Sequence, residues 1–242
     1  MIFSSLFHKK DENIYCSAIV LGAGQGIRMN SNVRKQFIEV LGKPVIVYAL
    51  EAFQHCDDVD EIILVVPKEE IVYANDIVKA FELDKVTKIV PGGKRRQDSV
   101  LCGLKEITEK TDVVAVHDGA RPLVRTEDIE NVIEDALAFD AATLGVKAKD
   151  TMKLVDKSNM VLSTLDRECV YHIQTPQVFR REVLVRGYEN AVKNEMEFTD
   201  DSALVEAIGV PVKVTQGSYD DIKITTPEDL IYMEAMVEFI EN

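Results

Sequence analysis

The chain has 242 residues, 46% of them hydrophobic, and a formal charge of −14. Such a length and apolar content fill the core of one large domain, while the negative field repels a phosphate backbone and excludes nonspecific nucleic-acid binding. No apolar run approaches the roughly 20 residues that cross a bilayer. Neither nucleic acid nor membrane is therefore an expected partner. The opening "MIFSSLFHKKDEN" places its lysines after an apolar stretch too short for a secretory leader, so residues 1–14 are read as a flexible tail on a cytoplasmic protein.

Strand-like and helix-like segments then alternate: "SAIVLGAG", "KPVIVYALEAFQHC", "EIILVVP", "KEEIVYANDIVKAFE", "VTKIVPGG", "DSVLCGLKEITEK" and "DVVAVHDG". This βαβα order predicts an α/β fold, a Rossmann-like three-layer sandwich with a mainly parallel sheet covered on both faces. Thr126, followed by Glu127 and Asp128, starts a helix ending near Asp140. From about 146 to 175 the text turns into short β-prone pieces around "DKSN" and predicts a protruding hairpin arm. Its apolar Met152, Leu154, Val161 and Leu165 need a partner surface, which a homodimer would supply. Helices from about Arg181 and at "DDSALVEAIG", strands at "VPVKVTQ" and "DIKIT", and a helix with Thr226 as N-cap and Pro227 in its first turn complete a single domain over 1–242.

The first strand runs into "LGAGQGIRMNSNVRKQF". A dinucleotide fingerprint needs a third glycine where Ile27 stands, and a P-loop needs a lysine directly after a glycine. What remains is a strand-end loop whose N–H groups can surround phosphate oxygens, followed by two cations, Arg28 and Lys35. Such a pair can neutralise the charge that grows at a reacting phosphorus.

Asp118 in "VVAVHDGARP" falls just past a buried strand, at the edge where parallel sheets bind ligands. A carboxylate there suits Mg²⁺, which commonly takes one or two carboxylates plus substrate phosphates. His117 beside it reads as a structural histidine. "VPGGKRRQDSV" again ends a strand in glycines, with Arg95, Arg96 and Ser99 near a helix start. Asp220, near Lys223 in "YDDIKITTPEDL", is a second candidate metal ligand. Cys16, Cys56, Cys102 and Cys169 show no metal spacing, and no G-x-S-x-G elbow or H-E-x-x-H occurs. A reaction without a protein nucleophile fits, and nucleotidyl transfer is one, since an ionised substrate phosphate attacks without a base.

Taken in order, "GAGQGIRM" with "KQF", "PGGKRRQDSV", "HDGARP", "DTMK", "LDR", "TPQVF", "TDDSALVE" and "IKITTPEDL" resemble the 2-C-methyl-D-erythritol 4-phosphate cytidylyltransferases of the non-mevalonate isoprenoid pathway, over about Cys16 to Phe239. The resemblance implies a homodimeric, Mg²⁺-dependent enzyme joining CTP to a polyol phosphate with release of pyrophosphate. By position it implies Arg28, Lys35, Arg167 and Lys223 as catalytic residues, the first two stabilising the transition state and the last two placing the attacking phosphate. Gly22, Ala23, Gly24, Gly92, Gly93 and Ser99 would line the CTP site. Asp118, Arg121, Thr151, Arg167, Thr199 and Lys223 would bind the acceptor, with Thr151 and Arg167 reaching into the partner's site. Arg34 stands where this family usually has a proline, and Ile27 where it can have an arginine.

Ribitol-5-phosphate cytidylyltransferase shares the nucleotide half of this pattern, but "DTMK", "LDR" and "TDDSA" lean toward methylerythritol phosphate. A nicotinamide-dependent oxidoreductase would need the missing glycine and an acid at the end of the second strand, where "LVVPKEE" has Val66 and Pro67. A noncatalytic nucleotide-binding regulator would not need Lys35, Arg167 and Lys223 together.

Overall fold

The computed structural model describes residues 14–24 and 34–241. Arg28 and most of the expected N-terminal tail lie outside them. The first strand, β1 (Cys16–Leu21), is buried along its whole length, as a strand covered on both faces must be. A single-turn 3₁₀ helix (Lys35–Phe37) leads to a small hairpin of β2 (Glu39–Val40) and β3 (Lys43–Pro44). Then come α1 (Val45–Gln54), β4 (Glu61–Val66), a 3₁₀ turn (Lys68–Glu70), α2 (Ile71–Ala80), β5 (Val86–Pro91) and α3 (Arg96–Leu104). The chain continues through β6 (Val113–Asp118), α4 (Thr126–Phe139) and β7 (Ala141–Lys147). Asp140, at φ 67°, ends α4 in the left-handed conformation, as the sequence led one to expect near that residue.

A hairpin of β8 (Lys153–Val155) and β9 (Val161–Thr164) follows, then β10 (Tyr171–Arg180), α5 (Arg181–Lys193), α6 (Asp201–Glu206), β11 (Lys213–Gln216) and α7 (Pro227–Glu241). The main sheet has the order β11-β7-β10-β6-β1-β4-β5. Its pairs are parallel except for β10, which runs antiparallel between β6 and β7. The fold is therefore the α/β sandwich expected, with one strand reversed.

The period of two sorts the strand residues onto two cores. Cys16, Ala18 and Val20 face α1, α2 and α4, while Ile19 and Leu21 face α3, α5 and α6. A third cluster packs Ile224, Met233 and Val237 against Val40, Val45 and Leu123. Among the described residues no helix is long and apolar enough to cross a membrane.

Two sequence expectations change. The arm is narrower than 146–175, because Lys147 pairs with Tyr171 and Val146 with His172 in the main sheet; the free hairpin spans β8 and β9. "DIKIT" is not a strand. Its groups are already committed: Ile224 N–H donates to the Ala120 carbonyl (2.7 Å) and the Ile224 carbonyl accepts from a lysine side chain, leaving no ladder to propagate.

Candidate active site

In the sheet order, β1 leads through α1 to β4 on one side and has β6 on its other side, so the loop after β1 leaves from the point where an open α/β sheet reverses its winding and opens a crevice. Leu21 and Asp118 are register partners at the ends of β1 and β6. A cavity of about 370 Å³ opens there, lined by Ala23, Gly24, Lys35, Gln36, Gly93, Lys94, Arg95, Arg96, Ser99, Asp118 and Lys223, among others. Five cations, Lys35, Lys94, Arg95, Arg96 and Lys223, face one carboxylate, in a chain of net charge −14. The basic surface the sequence demanded for a phosphate ligand is thus concentrated in one place.

Asp118 anchors the cavity. Arg96 Nε donates to its Oδ1 (3.0 Å) and Lys223 Nζ to its Oδ2 (2.5 Å). Burial alone would raise its pKa, but the charges of Arg96 and Lys223, with their hydrogen bonds, outweigh it and hold the carboxyl well below the usual carboxylate range. Arg96 also donates through Nη1 to Asp201 (2.6 Å), whose other oxygen accepts from the Tyr188 hydroxyl (2.6 Å). One string, Tyr188, Asp201, Arg96, Asp118 and Lys223, runs from α5 to the cavity wall.

His117 is a structural histidine, as its sequence neighbourhood suggested. The Arg121 carbonyl can only accept, so Nε2, 3.1 Å away, carries the ring proton. Nδ1 then accepts from the Thr175 hydroxyl (3.1 Å), and that oxygen accepts from the Asp118 N–H (3.0 Å). Complete burial lowers the imidazole to about 4, so the ring is neutral and no proton leaves it for chemistry near pH 7.

On the nucleotide-loop side, Gln36 Nε2 donates to the Gly24 carbonyl (3.3 Å) and Lys35 Nζ to the Ile224 carbonyl (2.6 Å). A Cβ on Gly92 would stand 2.5 Å from the Ala23 Cβ and 3.0 Å from Ser99 Oγ, so glycine lets the two strand-end loops touch. Gly93 N–H donates to Ser99 Oγ and the Ser99 hydroxyl to the Arg95 carbonyl, both at 3.1 Å.

The structure thus brings Ala23, Gly24, Lys35, Gly93, Ser99, Asp118 and Lys223 to one cavity, with Gly22 and Gly92 packed behind its wall. It does not bring Asp220 there. That carboxylate accepts from Arg125 (2.9 Å) and from the Tyr232 hydroxyl (3.1 Å) and does not line the cavity. Among the described residues no group of three His, Cys, Asp or Glu side chains is placed to hold a metal. Arg121 donates to the carbonyls of Asp221 (2.8 Å) and Ile173 (3.3 Å) outside the cavity lining. Thr151 and Arg167 are exposed around the hairpin, and Thr199 is exposed just before α6; none lines the cavity of its own chain. Arg96 and Asp201, which motif reading left unassigned, are joined to Asp118 in the hydrogen-bonded string at the cavity. Arg96 was visible beside Arg95, but only helix phase separates the one bonded to Asp118 from the one bonded to Asp98.

A second hollow, of about 590 Å³, is lined by Thr111, Asp112, Asp140, Arg180, Arg181, Glu182 and Val185. It lies at the opposite edge of the sheet, where Arg180 pairs with Val113. Its arginines are spent on the carbonyls of Leu137 and Glu109.

The family model for 2-C-methyl-D-erythritol 4-phosphate cytidylyltransferase matches residues 16–239. The chain belongs to that family. A relative of that name from Clostridium novyi (strain NT) is 43% identical over 226 residues, covering 93% of this chain and 97% of its own. One from Pelotomaculum thermopropionicum is 44% identical over 223 residues, covering 92% and 94%. Among solved structures, the 4-diphosphocytidyl-2C-methyl-D-erythritol synthase of Anaerococcus prevotii superposes with a TM-score of 0.84 at 34% identity, covering 94% of this chain and 97% of that one. The family member from Thermus thermophilus gives 0.73 at 27%, covering 93% and 100%. The cavity described above is therefore the strand-end crevice of a cytidylyltransferase fold.

Proposed function

We propose that the chain transfers a cytidylyl group from CTP to 2-C-methyl-D-erythritol 4-phosphate. An acceptor phosphate oxygen bonds to the α-phosphorus, the bond from that phosphorus to the bridging oxygen of the β-phosphate breaks, and pyrophosphate leaves. The product is 4-diphosphocytidyl-2-C-methyl-D-erythritol. The observation that carries this reading is the concentration of five cations around one carboxylate at the strand ends, in a member of this family. The methylerythritol acceptor in the relatives' names favours it over ribitol 5-phosphate.

The acceptor phosphate arrives ionised, so the protein's work is to position it and to neutralise charge. Lys35 stands on the cavity wall and compensates the negative charge as the α-phosphorus becomes five-coordinate, with Arg28 joining it in the proposed role; Lys223, on the same wall, places the attacking phosphate. Gly24, Gly93 and Ser99 lie where a nucleotide would meet main chain, while Asp118 spaces the cations. Mg²⁺ fits this donor set modestly. One ionised carboxylate, Asp118, and the triphosphate would hold it, the nucleotide supplying most ligands, and the ion would screen phosphate charge there.

The hairpin supports a homodimer. Leu154, Val161 and Leu162 are 52%, 58% and 61% exposed, and two isolated strands have no core of their own. A second copy would cover them and bring Thr151 and Arg167 toward a neighbouring cavity, where Arg121 and Thr199 would complete the acceptor contacts.

Pyrophosphate release from CTP and Mg²⁺ with methylerythritol phosphate, ribitol 5-phosphate or no acceptor, with each product weighed, tests the reading. Release only with the first supports it. Release only with the second moves the chain to another acceptor, and release with neither overturns the activity.

A further inference from the structure

Lys35 is carried by a one-turn 3₁₀ helix, and a single turn of that kind is held by few bonds of its own. Its main-chain anchor is Arg34: the Arg34 carbonyl accepts from Phe37 N–H (2.9 Å), closing the turn. Arg34 itself is extended, at φ −64° and ψ 135°. That pair of angles is the polyproline region, which a proline ring fixes covalently and an arginine does not.

The Arg34 side chain reaches across to the second 3₁₀ turn, Lys68–Glu70, at the C-terminal end of β4. One guanidinium nitrogen, Nη2, donates to Glu69, and Nε lies 3.8 Å from Glu70 Oε1. One cation thus faces two carboxylates, with the Arg34 and Glu70 side chains 26% and 29% exposed. A second contact ties the Lys35 turn to α2, the helix that follows the Lys68–Glu70 turn, since the Phe37 ring meets the Tyr73 ring edge-on at 5.4 Å.

We propose that the Arg34 to Glu69 and Glu70 clamp is a positioning device for Lys35. It holds ionically the backbone conformation that sets the lysine on the cavity wall. The proposal rests on the role given to Lys35 above. Half-exposed ion pairs contribute little to stability, whereas a displacement of about 1 Å at a charge-stabilising group costs up to about a hundredfold in rate. The clamp therefore reads out in kcat rather than in melting.

The test is a cycle on the full chain with CTP and methylerythritol phosphate: Arg34→Ala, the pair Glu69→Gln with Glu70→Gln, and all three together, beside Arg34→Lys and Lys35→Ala. The clamp predicts a fall of about tenfold in kcat for Arg34→Ala and for the glutamine pair. The triple variant falls no further, as expected of groups acting through one contact. Both KM values stay within about twofold and the melting temperature within about 2 °C, as for a surface pair. Arg34→Lys recovers most of the rate. Losses that multiply in the triple variant, a loss that follows the melting temperature, or an unchanged kcat in Arg34→Ala while Lys35→Ala is inactive would each overturn the clamp. A wild-type rate in Lys35→Ala overturns instead the role of Lys35, and the clamp with it.

Discussion

Lys35 donates through its ammonium to the main-chain carbonyl of Ile224, 2.6 Å away and 189 residues further along the chain. The neighbouring Lys223 donates to Asp118 Oδ2 at 2.5 Å. Two consecutive residues near the C-terminus thus fix one cation with main chain and supply the next with side chain. The Ile224 carbonyl thereby fixes the Lys35 ammonium on the cavity wall.

Gly92→Ala should damage the nucleotide side of the cavity. The added methyl would sit 2.5 Å from the Ala23 Cβ and 3.0 Å from Ser99 Oγ, so a loop must move, at the cost of roughly 1–3 kcal/mol typical of overpacking. A CTP titration should show weaker binding, about tenfold if half that strain falls on the bound state. Unchanged CTP affinity would mean that the two loops do not cooperate in holding it.

Asp221 makes stability fall as pH rises. Burial pushes its carboxyl up to about 7 from the ordinary 3.8, against the opposing charge of Arg121, 3.7 Å away. Between those values the folded chain holds a proton that the unfolded chain has lost, so stability declines from about pH 4 to pH 7. Asp221→Asn should gain on the wild type between pH 5 and pH 8, by no more than about 3 kcal/mol. His117 contributes the opposite slope below its ordinary 6.5, and it cancels in the difference. Urea unfolding at the two pH values measures this; no gain between them would show that the Asp221 charge is compensated.

Much of this was legible in the sequence because doubly covered strands must be apolar throughout. "CSAIVL", "EIILVV" and "VVAVHD" read as strands and are strands. β10 was not legible. Its middle, "QTPQ", is polar and contains Pro176, and those residues are spent on cross-links: Gln174 donates to the Ser218 carbonyl, Thr175 accepts from Asp118, and Gln177 accepts from the N–H groups of Asp201 and Ser202. Asp201 sits in an acidic stretch where composition suggests a solvated face, yet it is buried because Arg96 and Tyr188 pair with it. Such partners are 105 and 13 residues away, a distance over which local pattern carries no signal.

Shared sites across a homodimer predict complementation. Arg167→Ala should raise the KM for the acceptor and leave CTP binding nearly unchanged, since Arg167 lies near the exposed hairpin, outside its own chain's cavity. Mixing it with Lys35→Ala chains should restore part of the activity, because each mixed dimer holds one site with neither change. Absence of recovery in verified mixed dimers would place Arg167 in its own chain's site or in none.

The most direct test of the account is kcat and CTP affinity measured side by side for Lys35→Ala. A unit charge about 4 Å from the growing negative charge contributes up to about 4 kcal/mol at an effective dielectric of ~20, and each ~1.4 kcal/mol is tenfold in rate. The account predicts a fall in kcat of about a hundredfold or more, with CTP affinity changed far less, as for an interaction made chiefly in the transition state. A kcat near wild type, or a loss seen equally in CTP binding, would contradict it.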